Sequence, residues 1–228
     1  MDVRYKAAVF DMDGTILDTV QDLTDSLNHA LREAGVPAAH TPQETRLFFG
    51  SGIRTAIRRA AASDGVPCSD AFTEKVRSYF LPYYTAHCTD KTQPYPGICG
   101  MLADLRAAGI RTAVVSNKPD AAARKLADRY FAGLFDYTAG EKTGVPVKPA
   151  PDMILEALRA MDVSGKETVY VGDSEVDLCA AKNAELDCIS ADWGFRTRET
   201  LEQNGARIIV SRAEEISDLL CGTQGGKI

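Results

Sequence analysis

Apolar positions recur along this chain in two periods, and the switching between them predicts the architecture. Short runs with apolar residues at consecutive positions are KAAVF (6–10), RTAVVS (111–116), ETVYVG (167–172), DCIS (187–190) and RIIV (207–210). A strand apolar on both sides is one covered on both faces, as parallel strands between helical layers are. Between the runs the spacing becomes helical. Ile98, Met101, Leu102 and Leu105 share one face, with Gly109 as a C-terminal stop. Ile154, Leu155, Leu158 and Met161 share another, with Pro151 in the first turn. Strand and helix alternate from about residue 97 to about residue 220. The expected fold class is therefore α/β, a doubly wound, Rossmann-like parallel sheet with right-handed crossovers.

Residues 18–92 break that alternation and contain no strand-like run. Val20, Leu23, Leu27, Ala30, Leu31 and Ala34 make one helical face, opened by Thr19 and Asp22 at capping-box spacing and closed by Gly35. SGIRTAIRRAAA (51–62) and SDAFTEKVRSYFLPYYTAH (69–87) read as further helices, with the YFLPYY aromatics as packing. QPYPGI (93–98) marks the return. The expected organisation is an α/β core from 1–17 and 93–221, a helical unit inserted after the first strand at 18–92, and a disordered tail at 222–228.

With 45% apolar and 25% charged residues, the chain has enough apolar side chain for a sizeable core. A net charge of −6 argues against nucleic acid and anionic membrane as partners. A small anionic substrate stays open, because charge within a pocket differs from the sum. Cys68, Cys88, Cys99, Cys179, Cys188 and Cys221 form no C-x-x-C pair, and His29, His40 and His87 lie at no metal-ligand spacing, so no zinc site is expected. The opening MDVRYKAAVF lacks the apolar segment of a signal peptide, and no run reaches the roughly 18 residues of a membrane span. The expected location is the cytoplasm, with reduced thiols.

Four polar clusters fall at strand ends, where open α/β sheets bind ligands. They are Asp11, Asp13, Gly14 and Thr15; Ser116, Asn117 and Lys118; Lys148 within VKPAPD; and Gly172, Asp173, Ser174 and Asp177. Singly, D-x-D is a solvated turn, K-P a helix start and GDS a loop with an N-cap. Together they put three acids, a hydroxyl and a lysine at one sheet edge. Like charges that close are costly without a cation, and a hard one with oxygen ligands, Mg2+, suits them.

DMDGT (11–15), VVSN (114–117), VKPAP (147–151) and VGDSEVD (171–177), in that order, resemble the four motifs of the haloacid dehalogenase superfamily of phosphotransferases over essentially the full chain. The helical insertion resembles that superfamily's small cap. Asp22 to Gly35 and FFGSGIR (48–54) are most similar to the phosphoglycolate phosphatase group. The resemblance implies Asp11 as nucleophile, forming an aspartyl-phosphate, and Asp13 as general acid and base. It implies phosphate contacts from the Gly14 and Thr15 turn, from Ser116 and Asn117, and from Lys148. Mg2+ would rest on Asp11, the Asp13 main-chain carbonyl and Asp173, with Asp177 orienting from behind. Gly52 and Arg54 would meet the far end of the substrate, an arginine suiting a carboxylate.

The implied activity is Mg2+-dependent hydrolysis of a small phosphorylated metabolite, 2-phosphoglycolate foremost, by a monomer or homodimer. A sugar-phosphate mutase like beta-phosphoglucomutase, or a pyrophosphatase, is the alternative on the same machinery. An acid at Asp13 departs from the superfamily's dehalogenases, and the intact motif set departs from a non-catalytic regulator. Ser174 reads as an N-cap and Trp193 as packing.

Overall fold

The computed structural model describes residues 5–222. Strand β1 (Ala7–Phe10) is buried at every position and lies at the centre of a parallel sheet. The sheet also holds β4 (Arg111–Pro119), β5 (Tyr137–Glu141), β6 (Thr168–Gly172), β7 (Asp187–Ala191) and β8 (Ile208–Val210), in the order β5-β4-β1-β6-β7-β8. All five pairings are parallel. Alternate residues of β1 serve two cores. Ala8 and Phe10 join Val114, Val171, α5 (Ile98–Ala107), α6 (Asp120–Phe131) and α10 (Glu214–Cys221) on one face. Ala7 and Val9 join Val115, Tyr170, α7 (Asp152–Met161) and α8 (Glu175–Asn183) on the other. This is the three-layer α/β arrangement the apolar runs predict. The chain builds one wing through β4 and β5, then returns to build the other through β6. The reversal falls at β1, so its C-terminal end opens onto a crevice between β4 and β6.

Several details depart from the sequence pattern. The edge strand β5, YTAGE, carries no apolar run because only Ala139 and Gly140 are buried. Helix α6 buries mostly alanine (Ala122, Ala123, Ala127), which leaves no strong periodic signal. Leu155 faces outward, and Met153 and Ala157 complete the buried face of α7 instead. Pro151 is the N-cap of that helix, one position before its first turn.

Helices α1 (Val20–Glu33), α2 (Pro42–Phe48), α3 (Ile53–Ser63) and α4 (Asp70–His87) form the insertion, α1 against α4 and α3 against α4. Short strands β2 (Leu17–Asp18) and β3 (Gln93–Pro94) pair antiparallel where the chain leaves and re-enters the sheet, so Asp18 belongs to a strand after all. The capping box at Thr19 and Asp22 does not form. Thr19 Oγ1 donates to Asp13 Oδ1 at 2.6 Å, and the Asp22 carboxylate accepts from Lys91 N (3.0 Å), Thr92 N (2.9 Å) and Thr92 Oγ1 (2.8 Å). Those buried partners tie the two crossings together and outcompete a local cap. Among the described residues, Cys68, Cys88, Cys99, Cys179 and Cys188 are free thiols. No helix among the described residues is long and apolar enough to cross a membrane. Of the expected tail, 223–228 lies outside the described residues.

Candidate active site

The DMDGT turn follows directly from the end of β1. Asp11 N still bonds Val171 O at 2.9 Å, so its backbone is held as strand. The chain then folds back on Met12, whose carbonyl accepts from Thr15, Ile16 and Leu17 N–H. Gly14 has φ 83°, and a Cβ there would strike the Asp173 carboxylate, so only glycine lets the first and fourth clusters meet this closely. Thr15 Oγ1 donates to Asp173 Oδ1 at 3.0 Å, and Trp193 Nε1 donates to Thr15 O at 3.0 Å. The N–H groups of Gly14 and Thr15 are engaged by Leu17 O and Met12 O. Where the sequence reading expected phosphate contacts from these two residues, the structure sets both against Asp173, and neither lines the cavity.

At the end of β4, Asn117 links three segments. Its side-chain amide donates to Lys148 O (2.9 Å) and Gly50 O (3.1 Å), and its carbonyl accepts from Lys148 N (2.8 Å). Lys148 is thereby fixed, and its buried Nζ lies 2.8 Å from Asp11 Oδ1, 2.8 Å from Asp177 Oδ1 and 2.9 Å from the Tyr170 hydroxyl. Asp177 is fully occupied. Its Oδ1 accepts from Lys148 and Tyr170, and its Oδ2 accepts from Ser174 Oγ at 2.6 Å and from the N–H groups of Ser174 and Asp173. Ser174 is the N-cap of α8, as its sequence position predicts. Asp173 Oδ2 accepts from Phe195 N at 2.6 Å.

Asp11, Asp173 and Asp177 each place a carboxylate oxygen within 4.8 Å of the others, and all three are buried. Burial pushes the Asp11 carboxyl up to about 7; Lys148 pulls it down, while Asp177 and Asp13 push further up. Asp173 is raised well above the carboxylate range by burial, then by Asp177 and Asp11. Burial opposes the charge on Lys148, yet Asp11 and Asp177 together hold it above its ordinary value. One lysine thus pairs with two of three buried acids, all oxygen donors. That set fits a hard divalent cation, which would favour the ionised carboxylates. Asp11 and Asp173 have donor capacity for it; Asp177, already saturated, does not.

The cavity above these residues is lined by Asp11, Asp13, Ser116, Asn117, Lys118 and Asp173 from the sheet side. From the insertion come Leu23, Phe49, Gly50, Gly52, Ile53, Phe80 and Tyr84. The structure gathers Asp11, Asp13, Ser116, Asn117 and Asp173 around the cavity with Gly52 at the N-terminus of α3, and sets Lys148 against Asp11 and Asp177. It does not bring Arg54. That side chain is half exposed, paired with Glu74 Oε1 of α4 at 2.7 Å, and outside the cavity lining. Ile53, Ala56, Ile57 and Ala60 occupy the buried face of α3 and turn Arg54 outward. Trp193 is partly buried packing, as its position suggested.

Lys118, placed by sequence in the second polar cluster without a role of its own, Tyr84, read as packing, and Arg196, not singled out, line or latch the site. Lys118 Nζ lies 2.9 Å from Asp13 Oδ1 and donates to the Tyr84 hydroxyl. Arg196 is buried and bonds Arg46 O (2.6 Å), Phe49 O (3.1 Å) and both oxygens of Glu175 (2.7 and 3.0 Å), joining the sheet-side loop to the end of α2. A polar residue directly following a motif was the available signal for Lys118. For Arg196, in a stretch with Arg198 nearby, sequence offered none.

The fold and site agree with kinship. The pattern of the haloacid dehalogenase-like hydrolases matches residues 8–191, and the chain belongs to that family. Within it, a phosphoglycolate phosphatase of Mesorhizobium japonicum is 33% identical, over 88% of each chain. One from Agrobacterium fabrum is 35% identical, over 82% of this chain and 81% of its own. A Lactobacillus delbrueckii subsp. bulgaricus crystal structure, provisionally named phosphoglycolate phosphatase, superposes with a TM-score of 0.93 at 41% identity, covering 96% of this chain and 99% of its own. The chain is a phosphatase of this family, a phosphoric monoester hydrolase with an inserted helical cap.

Proposed function

We propose that the chain hydrolyses 2-phosphoglycolate, with Mg2+, through a phosphorylated Asp11. The observation that carries the mechanism is the buried Asp11 carboxylate at the end of β1, 2.8 Å from Lys148 Nζ and facing a cavity it shares with Asp13 and Ser116. An Asp11 oxygen attacks phosphorus and the ester P–O bond breaks. Asp13 delivers a proton to the departing alkoxide, then takes one from the water that attacks the aspartyl-phosphate, releasing phosphate and restoring Asp11. Ser116 Oγ donates to a phosphoryl oxygen, and Lys148 offsets charge on Asp11 and the transferred group. Asp11 and Asp173 would hold Mg2+, and Asp177 orients Lys148 and the Asp173 loop. Bound there, the cation supplies charge stabilisation to the phosphoryl oxygens. Residues 18–92 act as a cap, with Leu23, Phe49, Ile53, Phe80 and Tyr84 excluding water from the cavity. The substrate assignment is supported by the names of the relatives.

The test is phosphate release from 2-phosphoglycolate, pyrophosphate, hexose phosphates and nucleoside monophosphates, with Mg2+ or chelator. Selective Mg2+-dependent turnover of 2-phosphoglycolate is expected, lost by more than about 10³-fold in Asp11→Asn. Isomerisation of a hexose phosphate without net phosphate release would point instead to a mutase.

A further inference from the structure

We propose that Lys118, assisted by Tyr84, is the receptor for a carboxylate one carbon removed from the ester oxygen, and so sets substrate choice. The proposal deepens the phosphatase reading of this cavity and rests on it.

Lys118 is the cationic side chain in the cavity lining among the described residues. Its side chain is 1% exposed, a degree of burial that a lysine tolerates only with close partners. Two of its three ammonium donors are matched by Asp13 Oδ1 and the Tyr84 hydroxyl, leaving one for a ligand. Lys118 comes from the end of β4 and Tyr84 from α4, so the subsite exists only when the insertion sits over the sheet. Arg54, the residue whose chemistry would otherwise suit an acid, is engaged outside with Glu74.

The distances act as a ruler. Asp13 must reach the ester oxygen to about 2.6–3.2 Å to protonate it. Asp13 Oδ1 is held by Lys118 Nζ at 2.9 Å and by Thr19 Oγ1 at 2.6 Å, so Oδ2 faces the ester oxygen and the ammonium lies on the order of 6 Å from it. A carboxylate oxygen one carbon along the leaving group is about 3 Å from the ester oxygen, and falls within hydrogen-bond reach of the ammonium. A chain one carbon longer would carry its carboxylate beyond that reach, and apart from Tyr84 the insertion contributes only Leu23, Phe49, Gly50, Gly52, Ile53 and Phe80 to the lining, none with a polar side chain. The same apolar wall offers nothing to the hydroxyls of a sugar.

The test compares kcat/KM for 2-phosphoglycolate, 3-phosphooxypropanoate and ethyl phosphate in wild type, Lys118→Met and Tyr84→Phe, each shown folded by thermal melt. Wild type is expected to prefer 2-phosphoglycolate over both others by about 10²-fold or more. Lys118→Met should shrink the 2-phosphoglycolate to ethyl phosphate ratio by about 30-fold or more, chiefly through KM, and Tyr84→Phe by about 3- to 10-fold. If both esters fall by the same factor in Lys118→Met, the lysine acts only through Asp13 and the proposal is wrong. Should Lys118→Met not fold, an unchanged ratio in Tyr84→Phe overturns it equally. Equal wild-type turnover of 2-phosphoglycolate and ethyl phosphate would sink this proposal alone; no turnover of any ester would sink the phosphatase reading with it.

Discussion

Lys148 Nζ and Asp11 Oδ1 stand 2.8 Å apart with almost no solvent between them and the protein interior, the lysine side chain being 1% exposed. Asp177 approaches the same ammonium from its other side. Removing the lysine would strand two carboxylates in a buried site. Lys148→Met is expected to lower stability by about 3–5 kcal/mol in chemical denaturation, the usual cost of breaking a buried pair from one side. Phosphate release should fall by more than about 10²-fold. Adding Asp177→Asn should recover part of the stability and none of the activity. An unchanged denaturation midpoint in Lys148→Met would contradict the pairing.

The metal-free protein should lose stability as pH rises. Asp11 has a folded value of about 7, raised above its ordinary 3.8 by burial first, and Asp173 is raised for the same reason. Between those values the folded state binds more protons than the unfolded one, so the contribution is complete below about pH 4 and is lost as pH climbs through about 7. A divalent cation would reverse the preference by favouring the ionised carboxylates. The gain in Tm on adding Mg2+ to chelator-treated protein should therefore be larger at pH 8 than at pH 5, and Asp11→Asn should narrow that gap. Equal gains at the two pH values would count against the carboxylate cluster as the metal site.

Arg196 ties the sheet-side loop to the last turn of α2, donating to Arg46 O and Phe49 O while held by Glu175. A cation at a helix C-terminus also complements its partial negative charge. Arg196→Met should leave Glu175 and those carbonyls without their partner, lower stability by about 1–3 kcal/mol and speed amide exchange at residues 46–50. Exchange there at the wild-type rate would remove Arg196 as a latch.

Arg54 makes the opposite case. Its partner Glu74 lies on the insertion's surface, both side chains being about half exposed, and surface pairs contribute little. Arg54→Ala is expected to change kcat/KM for 2-phosphoglycolate by less than about twofold. A loss of tenfold or more would show that Arg54 swings inward during turnover.

The sequence carried most of the architecture because most strands here are covered on both faces. Such strands favour apolar residues on both faces, and β1, the 113–115 stretch of β4 and the 169–171 stretch of β6 show as unbroken runs. Edge strand β5 needs few, and helix α6 meets the sheet with alanines, so neither left a strong signal. The acids and lysine of the site were legible for a chemical reason. The proposed phosphoryl transfer on a carboxylate calls for those residue types at the strand ends, and their order along the chain is the order of the strands.

Direction and partnership were another matter. Thr19 and Asp22 have capping-box spacing, but each found a stronger buried partner brought near by the return of the chain at β3. Lys118 closes the second polar cluster and Arg54 follows FFGSG in the insertion, and the sequence favoured Arg54 as the cation for the substrate's far end. Arg54 is turned out by the apolar face of α3, whereas Lys118 is turned in where β4 runs on past Val115 with a shift in its register against β5. The sequence determined which chemistry the chain can perform, because composition at the strand ends is local. Which cation faces the substrate was decided only by tertiary structure, because side-chain direction depends on what each helix and strand packs against.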